Sequence, residues 1–388
     1  MRLLILAGTG GAGTTTVAAA TAVRAARRGV KTLLLTPEPG ALSPLRRPDD
    51  GPRRGDDRRD GEVEPGLVLR TLDSRARGER AWAALEAPAT ALLGALGADP
   101  PQAEELTGLP GLDDLLTLLE IRDAAAAGWD LVVVDAPALA RAVRLLALPE
   151  AVVRGVDRAL PLERRMLWAM GHGTSAWTDG LPRALVEAAE RAQAEAGGLR
   201  ELLADRGTSV RLVLPPQRAA LDAAVAAWTG LSLHGLAVDG VVVNRLVPVG
   251  DDPWLRERSR AQSAIAAEVE AVFAPLPVVR LGELAVPPTD ADELAALDTG
   301  DLPTPAPAAW QVERDGDGYA FLLPLPRARR PDLALARRGD ELVLDVAGER
   351  RVLALPSVLR RCDVTGAVLR DGVLRVAFLP DPDLWRSL

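Results

Sequence analysis

The chain has 388 residues, more than one domain of the usual ~150 residues, so two or three domains are expected. Its 46 basic and 54 acidic side chains leave a formal charge of −8, which argues against a nucleic-acid or anionic-membrane partner. A single cysteine, Cys362, and two distant histidines, His172 and His234, exclude a disulfide framework and speak against zinc.

The opening run Arg2 to Ala7 is apolar but too short for a signal peptide, and a glycine-rich loop stands where a cleavage site would be needed. No stretch approaches ~18 uninterrupted apolar residues, so no integral membrane segment is expected and the chain reads as cytoplasmic. The run passes into Gly8-Thr9-Gly10-Gly11-Ala12-Gly13, then an alanine-rich segment from Thr15 to Arg28 that stops at Gly29. This order predicts strand, glycine loop, helix and a C-terminal glycine stop. Lys31–Leu35, Leu131–Val134 and Val238–Val243 predict further strands, the last two ending at Asp135 and Asn244. Continuous aliphatic strands between helical stretches imply a parallel sheet covered on both faces, with ligands at the strands' C-terminal ends.

The Arg/Asp/Gly/Pro-rich segment 46–62 has almost no apolar residue and reads as a solvated loop. Residues 151–207 carry helical spacing broken near Gly171–Thr174 and predict a helical subdomain inserted in the sheet domain. Within it, Met166, Trp168 and Met170 fit helix-core packing better than a client groove, and both histidines read as surface or loop residues. A Pro/Ala-rich linker at 299–312 separates a first domain, 1–298, from a second, 313–388. Beyond it apolar residues alternate with period two over 332–335, 341–346, 350–355 and 372–378. Turns at Arg338-Gly339-Asp340, Ala347-Gly348-Glu349 and Asp371-Gly372 separate some of these runs, which predicts a small all-β sandwich.

A phosphate-binding loop needs glycines so that successive N–H groups converge on phosphate oxygens, a lysine for the β- and γ-phosphates, and a hydroxyl for Mg²⁺. Gly8, Thr9, Gly10, Gly11, Ala12, Gly13, Thr14, Thr15 and Thr16 supply the glycine frame and, in Thr15, the hydroxyl. Thr14 occupies the lysine position. The bland alternative is a tight strand–helix turn without a ligand. Asp135 is either a water-mediated Mg²⁺ ligand or a helix cap. Asn244 either reads adenine through its donor–acceptor pair or ends its strand as a turn residue.

These segments together resemble the ArsA-type ATPases, the arsenical-pump ATPase and its relatives that deliver tail-anchored membrane proteins. The family loop GKGGVGKTT appears as GTGGAGTTT, with Thr9 at the family's signature lysine and Thr14 at its phosphate lysine. Residues 103–123 resemble the family's PGIDE-type helix, 128–150 its switch II region and 239–248 the strand carrying the adenine-reading Asn, so the resemblance covers about 1–298. It implies a P-loop NTPase fold, ATP or ADP with Mg²⁺ held by Thr15 and Asp135, and dimerisation around nucleotide. Departures lie at the chemistry. Glu38 stands where the family has the Asp that positions water, the switch II Gly-His pair is lost, and the zinc-binding CxxC is absent. Residues 342–344 and 372–376 resemble the small-heat-shock-protein (α-crystallin)-like domain appended to some family members.

In phosphoryl transfer the protein contributes mainly position and charge. Two missing cations, a lengthened Glu38 and an altered switch II therefore point first to a pseudo-ATPase, a regulatory partner that dimerises with itself or with a lysine-bearing paralogue. Two alternatives stay open. One is an active ATPase for anion efflux or membrane-protein targeting, with an arginine from elsewhere as its cation. The other is a nucleotide-independent chaperone or adaptor built around the β domain and acting on a protein client.

Overall fold

The computed structural model describes residues 1–37, 45, 60–73, 78–79, 111–159, 183–303 and 310–382. Eight strands form one sheet in the order β3-β4-β2-β5-β1-β6-β7-β8. These are β1 (Arg2–Gly8), β2 (Thr32–Thr36), β3 (Asp60–Glu64), β4 (Leu67–Thr71), β5 (Leu131–Asp135), β6 (Thr208–Leu214), β7 (Val238–Leu246) and β8 (Val278–Gly282). All neighbours run parallel except the edge strand β3, which is antiparallel to β4. Asp60–Glu62, expected as part of a loop, thus belong to a strand; its backbone pairing with β4 needs no apolar side chain. Residues 46–59 of that expected loop lie outside the described residues.

Successive side chains of a strand point to opposite faces. Leu4, Leu6, Leu34 and Val133 enter one core, whereas Leu3, Ile5, Leu33, Leu35, Val132 and Val134 enter the other. The first face is covered by α1 (Thr14–Arg27) and α7 (Ala291–Ala296). Ala18, Ala19, Ala20 and Ala22 of α1 are fully buried, and their small side chains let the helix lie close to the sheet. The second face takes α2 (Leu112–Ala125), α3 (Leu139–Ala159), α4 (Arg183–Ala204), α5 (Arg218–Leu233) and α6 (Pro253–Phe273). Between the ends of α3 and α4, residues 160–182 lie outside the described residues, and with them Met166, Trp168, Met170 and His172.

A buried charge cluster fastens the end of this domain to the sheet. Arg211, on β6 and 2% exposed, makes paired hydrogen bonds of 3.0 Å to both oxygens of Asp239 on β7. It also donates to the carbonyls of Thr299 at 3.1 Å and Asp301 at 2.7 Å. Arg2 completes the cluster by donating to Asp239 and to the Pro303 carbonyl, both at 2.9 Å. Removing one member of such a cluster strands an opposite charge out of water, at a cost of about 3–5 kcal/mol. Asp239→Ala is expected to lower unfolding stability by about that amount in a denaturant titration; a loss below about 1 kcal/mol would show that the cluster contributes little.

After residue 310 the chain forms two antiparallel sheets, β14-β15-β10-β9 and β11-β12-β13. The strands are β9 (Gln311–Asp315), β10 (Gly318–Pro324), β11 (Leu333–Arg338), β12 (Glu341–Val346), β13 (Glu349–Ala354), β14 (Cys362–Arg370) and β15 (Val373–Pro380). The expected turn between β12 and β13 is made by Ala347 and Gly348, both at positive φ (53° and 83°), the primed geometry that matches strand twist. Phe321, Leu342, Leu344, Val376 and Phe378 fill the space between the sheets. The buried Cys362 sits at the start of β14.

This β domain is docked on α3, α5 and α6. Leu233, the last residue of α5, is fully buried in the β-domain core. Thr229 of α5 donates to the Pro326 carbonyl at 2.6 Å, and Arg327 to the carbonyls of Ala271 and Val272 at the end of α6. Arg351 of β13 donates through Nε to both oxygens of Glu150 on α3, at 2.9 and 3.1 Å, and through Nη1 to the Leu233 carbonyl. His234, expected at the surface, is instead 7% exposed, with Nδ1 3.5 Å from Glu150.

Burial alone would push the Glu150 carboxyl up, but the neighbouring His234 imidazole and the charge and hydrogen bonds of Arg351 outweigh it and hold the group below its ordinary 4.5. Among the described residues, Arg154 on its own helix and Arg200 of α4 are the other cations around this cluster. A depressed carboxyl stabilises the fold above its unfolded value and loses that contribution as pH falls through the lower folded value. The stability difference between the parent chain and Glu150→Gln should therefore be constant near neutrality and shrink below about pH 4.5. Chemical denaturation across pH 3–7 measures this; a difference that grows on acidification would reverse the sign.

Candidate functional site

The loop between β1 and α1 lies at the C-terminal edge of the parallel sheet. Its first glycine, Gly8, has no room for a side chain: a Cβ there would lie 2.6 Å from the Val213 carbonyl and against the Thr14 hydroxyl. Gly11 and Gly13 have φ of 74° and 80°, in the left-handed region that glycine enters without steric cost. A Cβ on Gly13 would come within 2.5 Å of Asn244 Nδ2. Ala12 N–H donates to the Thr9 carbonyl at 3.0 Å, closing the turn, and Val17 N–H donates to Gly13 to begin α1. The loop is thus held by conformations and contacts that need no lysine.

Helix α1 starts at the left-handed Gly13 without a side-chain cap, and its first turn holds no acidic residue. The N–H groups of Thr14, Thr15 and Thr16 therefore open a helix N-terminus with no side chain competing for them, which is the electrostatic requirement for an anion. Thr9 Oγ1 is buried and has no hydrogen-bond partner among the described residues. Glycine cradle, uncapped amides and orphaned hydroxyl fit a phosphate group. Ammonium groups do not form part of the fit, since Thr9 and Thr14 stand in their places.

Asn244 near the end of β7 is brought to this loop, its Nδ2 donating to the Ala12 carbonyl at 2.8 Å. Its amide is accordingly part of the cradle wall. Asp135 ends β5, the strand paired with β1 through Leu6, and is 4% exposed. It accepts a 3.1 Å hydrogen bond from Thr36 at the end of β2. Loop, Asp135 and Thr36 thus stand at the ends of three neighbouring strands, where a P-loop protein gathers its phosphate and Mg²⁺ groups. Glu38 lies outside the described residues.

Arg245 was not singled out in the sequence. It has φ 69° and turns its guanidinium back over the loop, where Nη1 donates to the Gly11 carbonyl at 2.7 Å. Nε and Nη2 are held by Glu283 at 2.9–3.2 Å. The only sequence signal was its place directly after Asn244 at a strand end. Its charge is already matched by Glu283, so it braces the loop without offering the unpaired cation that a lysine would.

A mostly parallel α/β sheet with a glycine cradle after its first strand, opening a helix, defines a P-loop-type nucleotide-binding fold. Residues 1–286 match the family model for the anion-transporting ATPase ArsA, and 316–378 match the HSP20-like domain found in ArsA. The chain is 42% identical to an uncharacterised protein of Streptomyces coelicolor across 99% of both chains, and 32% identical to a protein of Mycobacterium tuberculosis across 99% of this chain and 97% of that one. It is 28% identical to a candidate arsenical pump-driving ATPase of Chlorobaculum tepidum, over 97% of this chain and 96% of the other. The chain belongs to the ArsA ATPase family and carries that family's HSP20-like C-terminal domain. Among the described residues no helix is long and apolar enough to cross a membrane.

The loop wall is directly testable without a ligand. Asn244→Ala removes the contact to Ala12 and should speed amide exchange at residues 9–13, whereas Gly13→Ala should disturb the same amides more, through both φ and the clash. Exchange rates in this segment that are unchanged in both variants would show that the loop is shaped by something else.

Proposed function

We propose that this ArsA homologue is a nucleotide-binding protein with little or no hydrolytic turnover, which acts as a regulatory subunit and not as a pump motor. The observation that carries the reading is a glycine cradle that keeps its shape while both of its lysines are replaced by threonine. Backbone amides and the α1 N-terminus favour a di- or triphosphate. Thr9, Thr14 and Thr16 would add hydroxyl contacts, Thr15 and Asp135 would hold Mg²⁺, and Asn244 would face the base. Mg²⁺, when bound, would neutralise charge between the β- and γ-phosphates. The chain's own part would be to orient the phosphates and to hold the Asp135 carboxylate in place through its hydrogen bond from Thr36.

Turnover needs more than orientation. Charge building on the transferred phosphoryl group must be met by preorganised donors, and losing one typically costs ~10²–10³ in rate. Losing two in one site points to very slow hydrolysis. By family likeness we infer a homodimer, or a heterodimer with a lysine-bearing relative, working in the cytoplasm. In the heterodimer the partner would supply the missing signature lysine across the interface.

A second reading has one observation in its favour, the Arg245 guanidinium beside Gly11. If Arg245 left Glu283 to meet the phosphates, the isolated chain would hydrolyse ATP. Steady-state hydrolysis by the purified chain, Thr9→Lys/Thr14→Lys and Arg245→Ala separates the two. The pseudo-ATPase reading expects a rate near background in the parent chain and a gain of about 10²-fold or more with the lysines restored. Brisk turnover by the parent chain that Arg245→Ala abolishes would establish the alternative.

A further inference from the structure

Helix α3 begins four residues after Asp135 and ends against the β domain, so one element touches both working parts of the molecule. Its first turns bury Leu139, Ala142, Val143, Leu145 and Leu146 under the sheet. Pro149 then lies inside the continuous helix. Proline has no N–H to return to the preceding turn, so the helix is weakest there and its two halves can tilt relative to each other. Glu150 follows at once.

Past the proline the helix serves the β domain. Glu150 receives Arg351, Arg154 donates to the Val352 carbonyl at 2.7 Å, and Arg158 reaches Glu341 at 3.4 Å. The Arg158 pair is largely exposed, so little energy rests on it. The Glu150–Arg351 pair is 17% and 12% exposed and its breakage is costly. Glu150 also has rival donors, Arg154 Nη1 at 3.4 Å and His234 Nδ1 at 3.5 Å; the latter is buried and makes no hydrogen bond in this arrangement. A cavity of about 360 Å³, lined by Leu146, Glu150, Arg200, His234, Trp310 and Arg351 among others, leaves room for the carboxylate to change partners. Gly230 of α5 lies where α3 and the β domain converge: a Cβ there would lie 3.2 Å from both Val143 and Glu349. A shift of α3 is therefore felt by the β domain directly.

We propose that Glu150 is a latch: its exchange between Arg351 and His234, next to Pro149, couples the docking of the HSP20-like domain to the Asp135 end of α3 and so to the loop face. The nucleotide-dependent part rests on the reading given under Proposed function; the mechanical coupling does not. Two discrete partners for one buried carboxylate provide the bistable element that coupling between distant sites requires. Linkage then makes the effect reciprocal, so that whatever binds the loop face shifts the docking of the β domain.

Hydrogen exchange by mass spectrometry on the full chain, without nucleotide, tests this. Glu150→Gln and Arg351→Gln should each speed exchange about fivefold or more both in β12–β13 and in residues 131–146, while Arg158→Ala should leave both regions unchanged. The two latch variants guard against one of them simply misfolding, and their circular dichroism should match the parent's. Faster exchange confined to the β domain, or no change in either region, would overturn the coupling. ADP calorimetry on the same samples keeps the readings apart. A chain that binds no ADP counts against the nucleotide reading, while the exchange pattern still decides the latch.

Discussion

The site depends on one constraint: the first turn of α1 must end in open amides and the loop before it must hold that opening without lysine. Gly8 and Gly13 make this possible, because a Cβ at either would strike Val213 or Asn244. Asn244 and Arg245 then tie the loop to the end of β7 through the carbonyls of Ala12 and Gly11. The bracing is between backbone and neutral or already matched groups, so it survives the loss of two ammonium charges. Shape and charge, usually supplied together in a phosphate loop, are here separated.

The rest of the domain serves this edge of the sheet. Alanine-rich α1 lies close on one face, among the described residues five helices cover the other, and the Arg211–Asp239–Arg2 cluster fastens residues 299–303 against β1, β6 and β7. The β domain is joined by a hydrophobic plug, Leu233, and a buried ion cluster on the helix that leaves Asp135. A tether this specific to α3 sets the HSP20-like domain apart from a free appendage.

Continuous aliphatic strands such as β1 and β5, and the alternating strands β12 and β15, were legible because their neighbours in sequence reveal their burial. Edge strand β3 was not, since its Asp, Gly and Glu residues pair through backbone alone. Strand β6 was missed for a different reason. Thr208, Ser209 and Arg211 look solvent-facing, yet all three are buried, and Arg211 is matched by Asp239, 28 residues away. The glycine loop and Asn244 were visible as a motif. Arg245, Glu283 and the Glu150–His234–Arg351 cluster were not, because each acquires its meaning only from a partner brought close by folding. The burial of His234 is a product of domain docking, which a local pattern does not encode.

The most direct test of a cradle that keeps its shape without its charges is calorimetric titration of the purified chain with ADP and with a non-hydrolysable ATP analogue, each with and without Mg²⁺. Binding in the micromolar to millimolar range is predicted, abolished by Gly13→Ala and tightened by Thr14→Lys. Absence of binding in the parent chain together with tight binding once Thr14→Lys is introduced would contradict it, since the charge and not the shape would then have been what made the site.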